Sequence, residues 1–463
     1  MPGHRLTGDP AVARRVALVT LVVSSFALPL MLSAVHVALP SVARALRLDA
    51  VTLSWVQLTF LTASAATVLA FGRLADLVGR KRVFTVGTFA LLGASLLAAA
   101  ATDAAMLLTA RCLQGMSAAM IYATQIAILT SIYPPEQRGR AIGTLVSAVY
   151  FGLTLGPLVG GWLVQAFSWR AAFVAQVPLA VLVIAWGLPR MHGEWKAEHP
   201  GRFDAPGALL YAASIVALMW GGAALPDRMG ALGVVGGIIG MVVFVRHQHG
   251  RPDPLFDVSL FYTNRVFTLS SLASLLMYAT TYSTLVLVSL YLQYLKDLPP
   301  ARAGMVMLAQ PLVSALLSPL AGRLSDRIEP RVIASAGVAA TAVGLFLLAR
   351  LDAASPLTAV VGCLVMTGIG FSLFSSPNAN AIMSGVDKRL YGTAGAIVAT
   401  MRILGQLASM GLVAAAFALT MGRIEITPAS YPALGDALHL SFMIAVVLCV
   451  PALLCSLARG RMR

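Results

Sequence analysis

The chain alternates long apolar runs with short charged loops. An apolar helix of about 20 residues crosses roughly 30 Å of hydrocarbon. Windows of that character fall at 16–38, 51–71, 83–101, 105–131, 141–164, 169–189, 207–225, 230–246, 266–293, 303–321, 332–350, 356–376, 391–418 and 438–458. The pattern predicts fourteen spans. The window 230–246 is the weakest, short and glycine-rich; if it and 207–225 did not cross, the count would be twelve. The opening segment MPGHRLTGDPAVARR carries Arg5, Arg14 and Arg15, as the basic region of a signal peptide would. The run after it continues past about 20 residues with no small-residue cleavage site, so the sequence predicts an uncleaved first span.

Composition agrees with that pattern and narrows the class. Of 463 residues, 59% are apolar and 11% charged, with 33 bases against 18 acids. This is the composition of an all-α polytopic membrane protein. The net charge of +15 points to nucleic acid only until the loops are considered, because none is long enough to fold as a binding module. Topology accounts for the excess better. Loops on the side of both termini hold 23 of the 33 Lys and Arg residues and those on the other side 8, with two inside spans. Cytoplasmic loops carry such an excess, so the expectation is a multi-pass protein of the cell (inner or plasma) membrane with both termini in the cytoplasm. Cys112, Cys363, Cys449 and Cys455 all lie in apolar runs without a CxxC, which reads as packing and predicts no metal site.

One loop occurs twice. GRLADLVGRKR at 72–82 follows the second span, and GRLSDRIEPR at 322–331 follows the tenth. Two six-span halves place this element equivalently only if spans seven and eight are inserted between them. The predicted domains are therefore 1–190, a six-helix bundle; 191–265, a linker with two additional spans; and 266–463, a second six-helix bundle. Parallel six-span halves are the organisation of one class of secondary transporters, with substrate bound between the halves near mid-depth.

The motifs give this a family. Gly72, Leu74, Asp76, Gly79, Arg80 and Lys81 resemble the loop motif of the major facilitator superfamily, with Leu77 departing where a base is usual. The resemblance implies a latch between halves, with Gly322 and Asp326 as its second copy. RCLQGMSAA at 111–119 resembles the superfamily's fourth-span motif. A charge within a span costs about 2.5 kcal/mol or more unless paired or hydrated. In the family the arginine matching Arg111 is implicated in proton movement; snorkelling to the interface is the other reading. GLTLGPLVGG at 152–161 is similar to the antiporter motif of the fifth span, with Gly152, Gly156 and Gly160 on one helical face, Pro157 adding a bend, and Gly161 beside them. Generic close packing of helices produces the same spacing. FDAPGALL at 203–210, PLFDVSLFYTNRVF at 254–267, SPNANAIM at 376–383 and MRILGQ at 401–406 resemble the fourteen-span drug/proton antiporter branch, the multidrug-exporter group. Peptide transporters share the six-two-six arrangement, but their E-x-x-E-R first-span motif has no counterpart here.

The sequence also departs from the branch. All 18 acids fall in loops or at span ends. Where the branch often carries an Asp in its first span, LMLSAVHVALP at 30–40 has Met31, and His36 stands at the place of an asparagine. With Arg111 and Arg402 as the charges inside spans, the cavity is expected to be neutral to positive, disfavouring dications. His36 is the other intramembrane side chain able to change charge near neutral pH; it either couples to protons or is a neutral imidazole bonded to a neighbouring helix. Arg402, with Gly405, resembles the branch's R-x-x-G, and either meets anionic groups of substrate or braces backbone carbonyls. Tyr122, Gln125, Tyr278, Tyr282, Gln310 and Asn378 are the candidate polar groups of the cavity, and equally candidates for interhelical bonding. The histidines of RHQHGRPD at 246–253 read as solvated loop charge. The resulting expectation is a secondary active transporter, a proton-coupled exporter of amphipathic or lipophilic small molecules by alternating access, acting as a monomer in the lipid bilayer with no cofactor and no nucleic acid. The alternatives are a dedicated exporter of an endogenous anionic metabolite and a non-transporting sensor or scaffold on the same fold. An embedded enzyme would need convergent acid/base, nucleophile or metal groups at one depth, which the acid inventory lacks.

Overall fold

The computed structural model describes residues 10–460 apart from 192, 197–200, 225–226, 257, 326, 385 and 387–390. Fourteen helices are long and apolar enough to cross a membrane. In chain order these spans are Arg14–Leu46, Ala50–Val78, Arg80–Ala99, Ala104–Ile132, Ala141–Ala166, Trp169–Arg190, Ala205–Ala223, Arg228–Gln248, Arg265–Leu295, Pro300–Ser325, Pro330–Ala349, Leu357–Met383, Ile397–Thr420 and Pro428–Ala458. The weak window at 230–246 lies within a continuous helix. Elsewhere several apolar windows stop short, as at the twelfth span, where helix continues through Ser375, Ser376, Pro377 and Asn378 to Ser384. A window registers those residues as polar, whereas the helix satisfies its own backbone and buries Asn378 inside the bundle.

Several acids expected to be plain loop charges start helices instead. Asp49 accepts from the Thr52 amide at 2.8 Å, Asp103 from Met106 at 2.9 Å and Asp204 from Gly207 at 3.1 Å. Each satisfies an amide that the first helical turn leaves without a partner.

Packing repeats along the chain. The first span packs on the fifth as the ninth does on the thirteenth, and the second on the fourth as the tenth on the twelfth. Between the two sets, the fifth meets the tenth as the thirteenth meets the second. The seventh and eighth spans pack on each other, and the seventh also lies against both the second and the thirteenth, covering one of the two seams.

The hydrogen bonds joining the first six spans to the last six cluster on the face opposite the termini. Gln293 Nε2 donates to the Val37 carbonyl at 2.8 Å, and the Tyr294 hydroxyl to that of Pro40 at 3.2 Å. The Ala301 amide donates to Gln165 Oε1 at 3.2 Å and the Ala50 amide to the Ile424 carbonyl at 3.1 Å. Glycines let the fifth and tenth spans cross closely there: a Cβ on Gly161 would lie 2.5 Å from the Pro300 oxygen, and one on Gly304 2.1 Å from that of Pro157. Nearer mid-depth, Tyr150 and Ser375 share a hydrogen bond of 3.1 Å.

The ninth span is broken. Helix Arg265–Thr281 ends before Tyr282 and resumes at Thr284, and the last turn, Tyr291–Leu295, is π-helical. The Ser283 amide inside the break is capped by Ser409 Oγ of the thirteenth span at 3.1 Å. Tyr282 and Ser283 keep helical dihedrals, so the break is a local interruption of the hydrogen-bond ladder, and a neighbouring span satisfies the freed amide.

Candidate functional site

Arg111 enters the bundle seven residues into the fourth helix and is fully buried. Its guanidinium is held by neutral acceptors: Nε by the Val56 carbonyl at 2.8 Å, Nη1 by Gln114 Oε1 at 2.9 Å and Nη2 by Gln57 Oε1 at 3.0 Å. The Phe60 ring lies 4.5 Å from Cζ and adds a cation–π contact. Snorkelling is thereby ruled out for this residue. Gln114 passes the connection on, donating to Ser95 Oγ at 3.0 Å and to Met31 Sδ at 3.5 Å. The first-span position that lacks an acid thus sits one side chain from Arg111. His36 is 2% exposed, and neither ring nitrogen has a partner. Its ring meets that of Tyr282 edge to face, with centroids 5.6 Å apart.

A second cation lies in the thirteenth span, toward the start of Ile397–Thr420. Arg402 is half-buried and within electrostatic reach of the Tyr122 and Tyr278 hydroxyls, one from each set of six spans. Tyr278 packs edge to face on Phe371 with centroids 5.6 Å apart. The seating of Tyr278 depends on Gly405, where a Cβ would lie 2.3 Å from the Leu275 oxygen and 2.8 Å from Tyr278 Cβ. Among the described residues no carboxylate pairs with Arg111 or Arg402. The arrangement offers π surface from both sides, one unneutralised guanidinium and no acid, a setting able to hold a lipophilic molecule with an acceptor or anionic group.

The other cavity candidates divide. Gln125 donates to Ser24 Oγ at 3.2 Å, and Gln310 is buried with Oε1 unpartnered. Asn378 is fully engaged: Nδ2 donates to the Ser270 carbonyl at 3.0 Å and to Ser274 Oγ at 2.8 Å, while Oδ1 accepts from Arg459 at 2.6 Å. Arg459 reads in the sequence as a solvated terminal base; the structure buries it to 1% exposure against the ninth and twelfth spans. No sequence signal marks it, since it follows the last apolar run as any basic tail does.

The first copy of the duplicated loop is engaged by the first six spans and by the linker that follows them. Asp76 accepts from Arg80 at 2.8 Å, and Arg80 also reaches Ser131 Oγ at 2.7 Å at the end of the fourth span. Gly79 has φ of +126° and Glu194 carbons and oxygens where a Cβ would be, so glycine is required there. Glu194 in turn accepts from the Lys81 amide at 2.8 Å. At Gly72 the nearest atom to a Cβ is Ala123 Cβ at 3.8 Å, ordinary contact, and at Gly322 it is Ser376 Oγ at 2.8 Å. Asp326 lies outside the described residues. In the fifth span, Gly152, Gly156 and Gly160 all meet the first span, against Phe26 O, Ser33 and Ala34, whereas Gly161 faces the tenth.

The histidine-bearing loop after the eighth span is structured, which corrects its reading as solvated charge. Asp204, with a side chain 2% exposed, accepts from His247 at 3.2 Å, Gln248 at 2.8 Å and Arg251 at 2.8 Å. Asp253 then pairs with Arg73 of the duplicated loop at 3.1 Å. The inserted pair is therefore tied to that loop.

Comparison with known proteins agrees with this geometry. The sequence profile of the Major Facilitator Superfamily matches residues 21–410 and again 269–461. The riboflavin transporter RibZ of Clostridioides difficile is 30% identical over 80% of this chain and 81% of its own length. The multidrug efflux pump LfrA of Mycolicibacterium smegmatis is 28% identical over 89% and 84%, and the puromycin resistance protein pur8 of Streptomyces alboniger 30% over 80% and 75%. A solved structure of a mutant of the peptide transporter POT in complex with sulfate superposes with a TM-score of 0.69 over 98% of this chain and 99% of its own, at 14% identity, a likeness of fold. The chain is a membrane transporter, not an enzyme, and belongs to the Major Facilitator Superfamily, in the branch that holds its drug exporters.

Proposed function

We propose that this protein is a proton-coupled exporter of neutral or anionic amphipathic small molecules, working by alternating access as a monomer in the cell membrane with both termini in the cytoplasm. Residues 1–190 and 266–463 form the two moving halves, and 191–265 is the linker with its two spans. The observation that carries the reading is Arg402, a half-buried guanidinium of the thirteenth span within electrostatic reach of Tyr122 and Tyr278 and with no carboxylate on it among the described residues. An acid-free aromatic site penalises a dication, which would meet like charge in a low dielectric. It favours a flat apolar body with an acceptor end. His36 and Arg111 are the proton-coupling candidates, and the Asp76 loop, with Gly79, Arg80 and Lys81, is the latch. Seen in this light, the seal opposite the termini belongs to an inward-facing conformation.

A dedicated exporter of one endogenous anionic metabolite is the second reading; the 30% identity to a protein named as a riboflavin transporter favours its single-substrate part, riboflavin itself being uncharged near neutral pH. The test for both is proton flux in proteoliposomes under an imposed pH gradient, challenged with matched lipophilic cations, neutral compounds and anions. Dissipation by neutral or anionic compounds, lost in Arg402→Ala, is the expected result. Response to a single anion across a broad panel would select the second reading. Dissipation by cations alone would overturn both.

A further inference from the structure

More than nine in ten buried polar groups in folded proteins have a hydrogen-bond partner. Here, five side chains with unpartnered buried atoms gather along one seam: both nitrogens of His36, Nε2 of Gln57, the hydroxyls of Tyr282 and Thr284, and Oε1 of Gln293. They are connected. Gln57 holds Arg111, and Arg111 lies within electrostatic reach of both His36 and Tyr282, whose rings touch. Thr284 opens the helix segment that follows the break at Tyr282, and that segment leads into the π-helical turn carrying Gln293, which donates to Val37, the neighbour of His36. The five come from the first, second and ninth spans, and the seam between the first and ninth joins the two sets of six.

An apolar seam would seal at lower cost. Polar groups buried without a protein partner on both sides of a closed joint fit a surface that meets water when the joint parts. We propose that His36, Gln57, Tyr282, Thr284 and Gln293 line the exit vestibule of the outward-facing state, and that Gln293 fastens it shut. This rests on the alternating-access reading above. Gln293 suits the role. Its amide donates to Val37 O at 2.8 Å and to Ser289 Oγ at 3.0 Å, while its oxygen gains nothing from closure. Val37 lies three residues before Pro40, within a stretch where the proline removes a helical N–H and loosens the backbone ladder. Tyr294, one residue on, donates to Pro40 itself. Two adjacent side chains of one π-helical turn thus grip one proline-weakened turn of the opposing span. Turns of this type recur at functional positions.

The test measures accessibility, so it is independent of which substrate is carried. In a background with Cys112, Cys363, Cys449 and Cys455 replaced by alanine, Thr284→Cys is challenged in cells with a membrane-impermeant thiol reagent. Thr341 is the control: it is equally buried and unpartnered, but it lies between the eleventh and twelfth spans of one set, where Gly370 packs on it. Adding Gln293→Leu is expected to raise the labelling rate of Thr284→Cys about tenfold, the effect of losing one or two ordinary hydrogen bonds. Thr341→Cys should stay slow. Tyr294→Phe, which removes only the bond to Pro40, should raise the rate severalfold and stands in if Gln293→Leu fails to fold. Unchanged Thr284→Cys labelling in both variants overturns the proposal, as does parallel labelling of Thr341→Cys, which would mean general loosening. Faster labelling seen only in inverted vesicles would likewise overturn the proposal, because the groups would then open to the cytoplasm.

Discussion

The glycine crossing of the fifth and tenth spans gives the sharpest expectation for the seal. In ordinary contact a Cβ sits 3.4–4 Å from its neighbours. Gly304→Ala would place one 2.1 Å from the Pro157 oxygen, and Gly161→Ala one 2.5 Å from that of Pro300. Both obstacles are backbone, so no rotamer relieves them. The two helices must part by roughly an ångström or more, and overpacking of this kind costs about 1–3 kcal/mol. If closure of this face is an equilibrium, the closed state loses about 5- to 150-fold against the open one, at about 1.4 kcal/mol per tenfold. The same methyl at Gly156 would strike Ser33 within one set of spans, so Gly156→Ala is expected to lower thermal stability without favouring the open state. Gly236→Ala, with nothing within 4 Å, should do neither. Spin labels at Thr102 and Ala354, exposed loop residues on the sealed face in opposite sets of spans, provide the ruler. Gly304→Ala should move much of the short-distance population to longer distances and depress transport. A distance distribution like that of the unsubstituted protein, in a folded Gly304→Ala variant, would refute the reasoning, since the carbonyl contact would then be relieved without opening.

Asp76→Asn should change the melting temperature little, because its pair with Arg80 is partly solvated and worth under about 1 kcal/mol; it should nonetheless lower transport, and full transport would remove the latch. His36→Gln keeps a buried polar group while abolishing titration, so a flux whose pH profile does not change would assign His36 to packing. Asp204→Ala leaves the buried Gln248 amide without its acceptor and takes the partner from the exposed Arg251, and should cost about 1–3 kcal/mol, read from thermal melts in detergent. Burial opposes the Asp204 charge, yet hydrogen bonds from Gln248, Gly207 and His247, with Arg251 beside it, hold its carboxyl below the usual range. A depressed value means that this stabilisation is present above the unfolded-state value and is lost as pH falls through the folded one. Wild-type melts should therefore hold through mildly acidic pH, and the gap to Asp204→Ala should close only in strong acid.

The spans, their number and the internal repeat were legible because they are written in composition: a window of apolar residues needs no knowledge of its neighbours. Motif glycines were legible where spacing alone sets the face, as with Gly152, Gly156 and Gly160 against the first span. Partnership was not. Asp49 and Asp103 counted as loop charges, but each caps a helix, and the sequence shows only an acid near a boundary in either case. Arg459 looks like a tail residue until the end of the fourteenth span is placed beside Asn378. Gln293 donates to a backbone carbonyl, and a carbonyl has no letter in the sequence.

The two faces are held by different chemistry, and the difference bears on how the molecule could cycle. Opposite the termini the joint is made of side-chain donors on main-chain oxygens and of glycine meeting carbonyl. Each such hydrogen bond is worth about 0.5–1.5 kcal/mol net, because water replaces it when the joint opens. The few seen here amount to about a handful of kcal/mol, a size that the differential binding of a ligand could reverse in the proposed cycle. On the terminal face the charges of the duplicated loop are spent away from the last six spans, Asp76 on Arg80 within the first six and Arg73 on Asp253 beside the inserted pair. A loop already satisfied without the opposite half can leave it without stranding a buried ion, the costliest event in a membrane protein. Arg402 and Arg111 then differ in setting: Arg402 is half-buried in the thirteenth span, where the proposed function places substrate, whereas Arg111 is fully buried behind the joint, beside the His36 and Tyr282 rings that the proposed opening would expose.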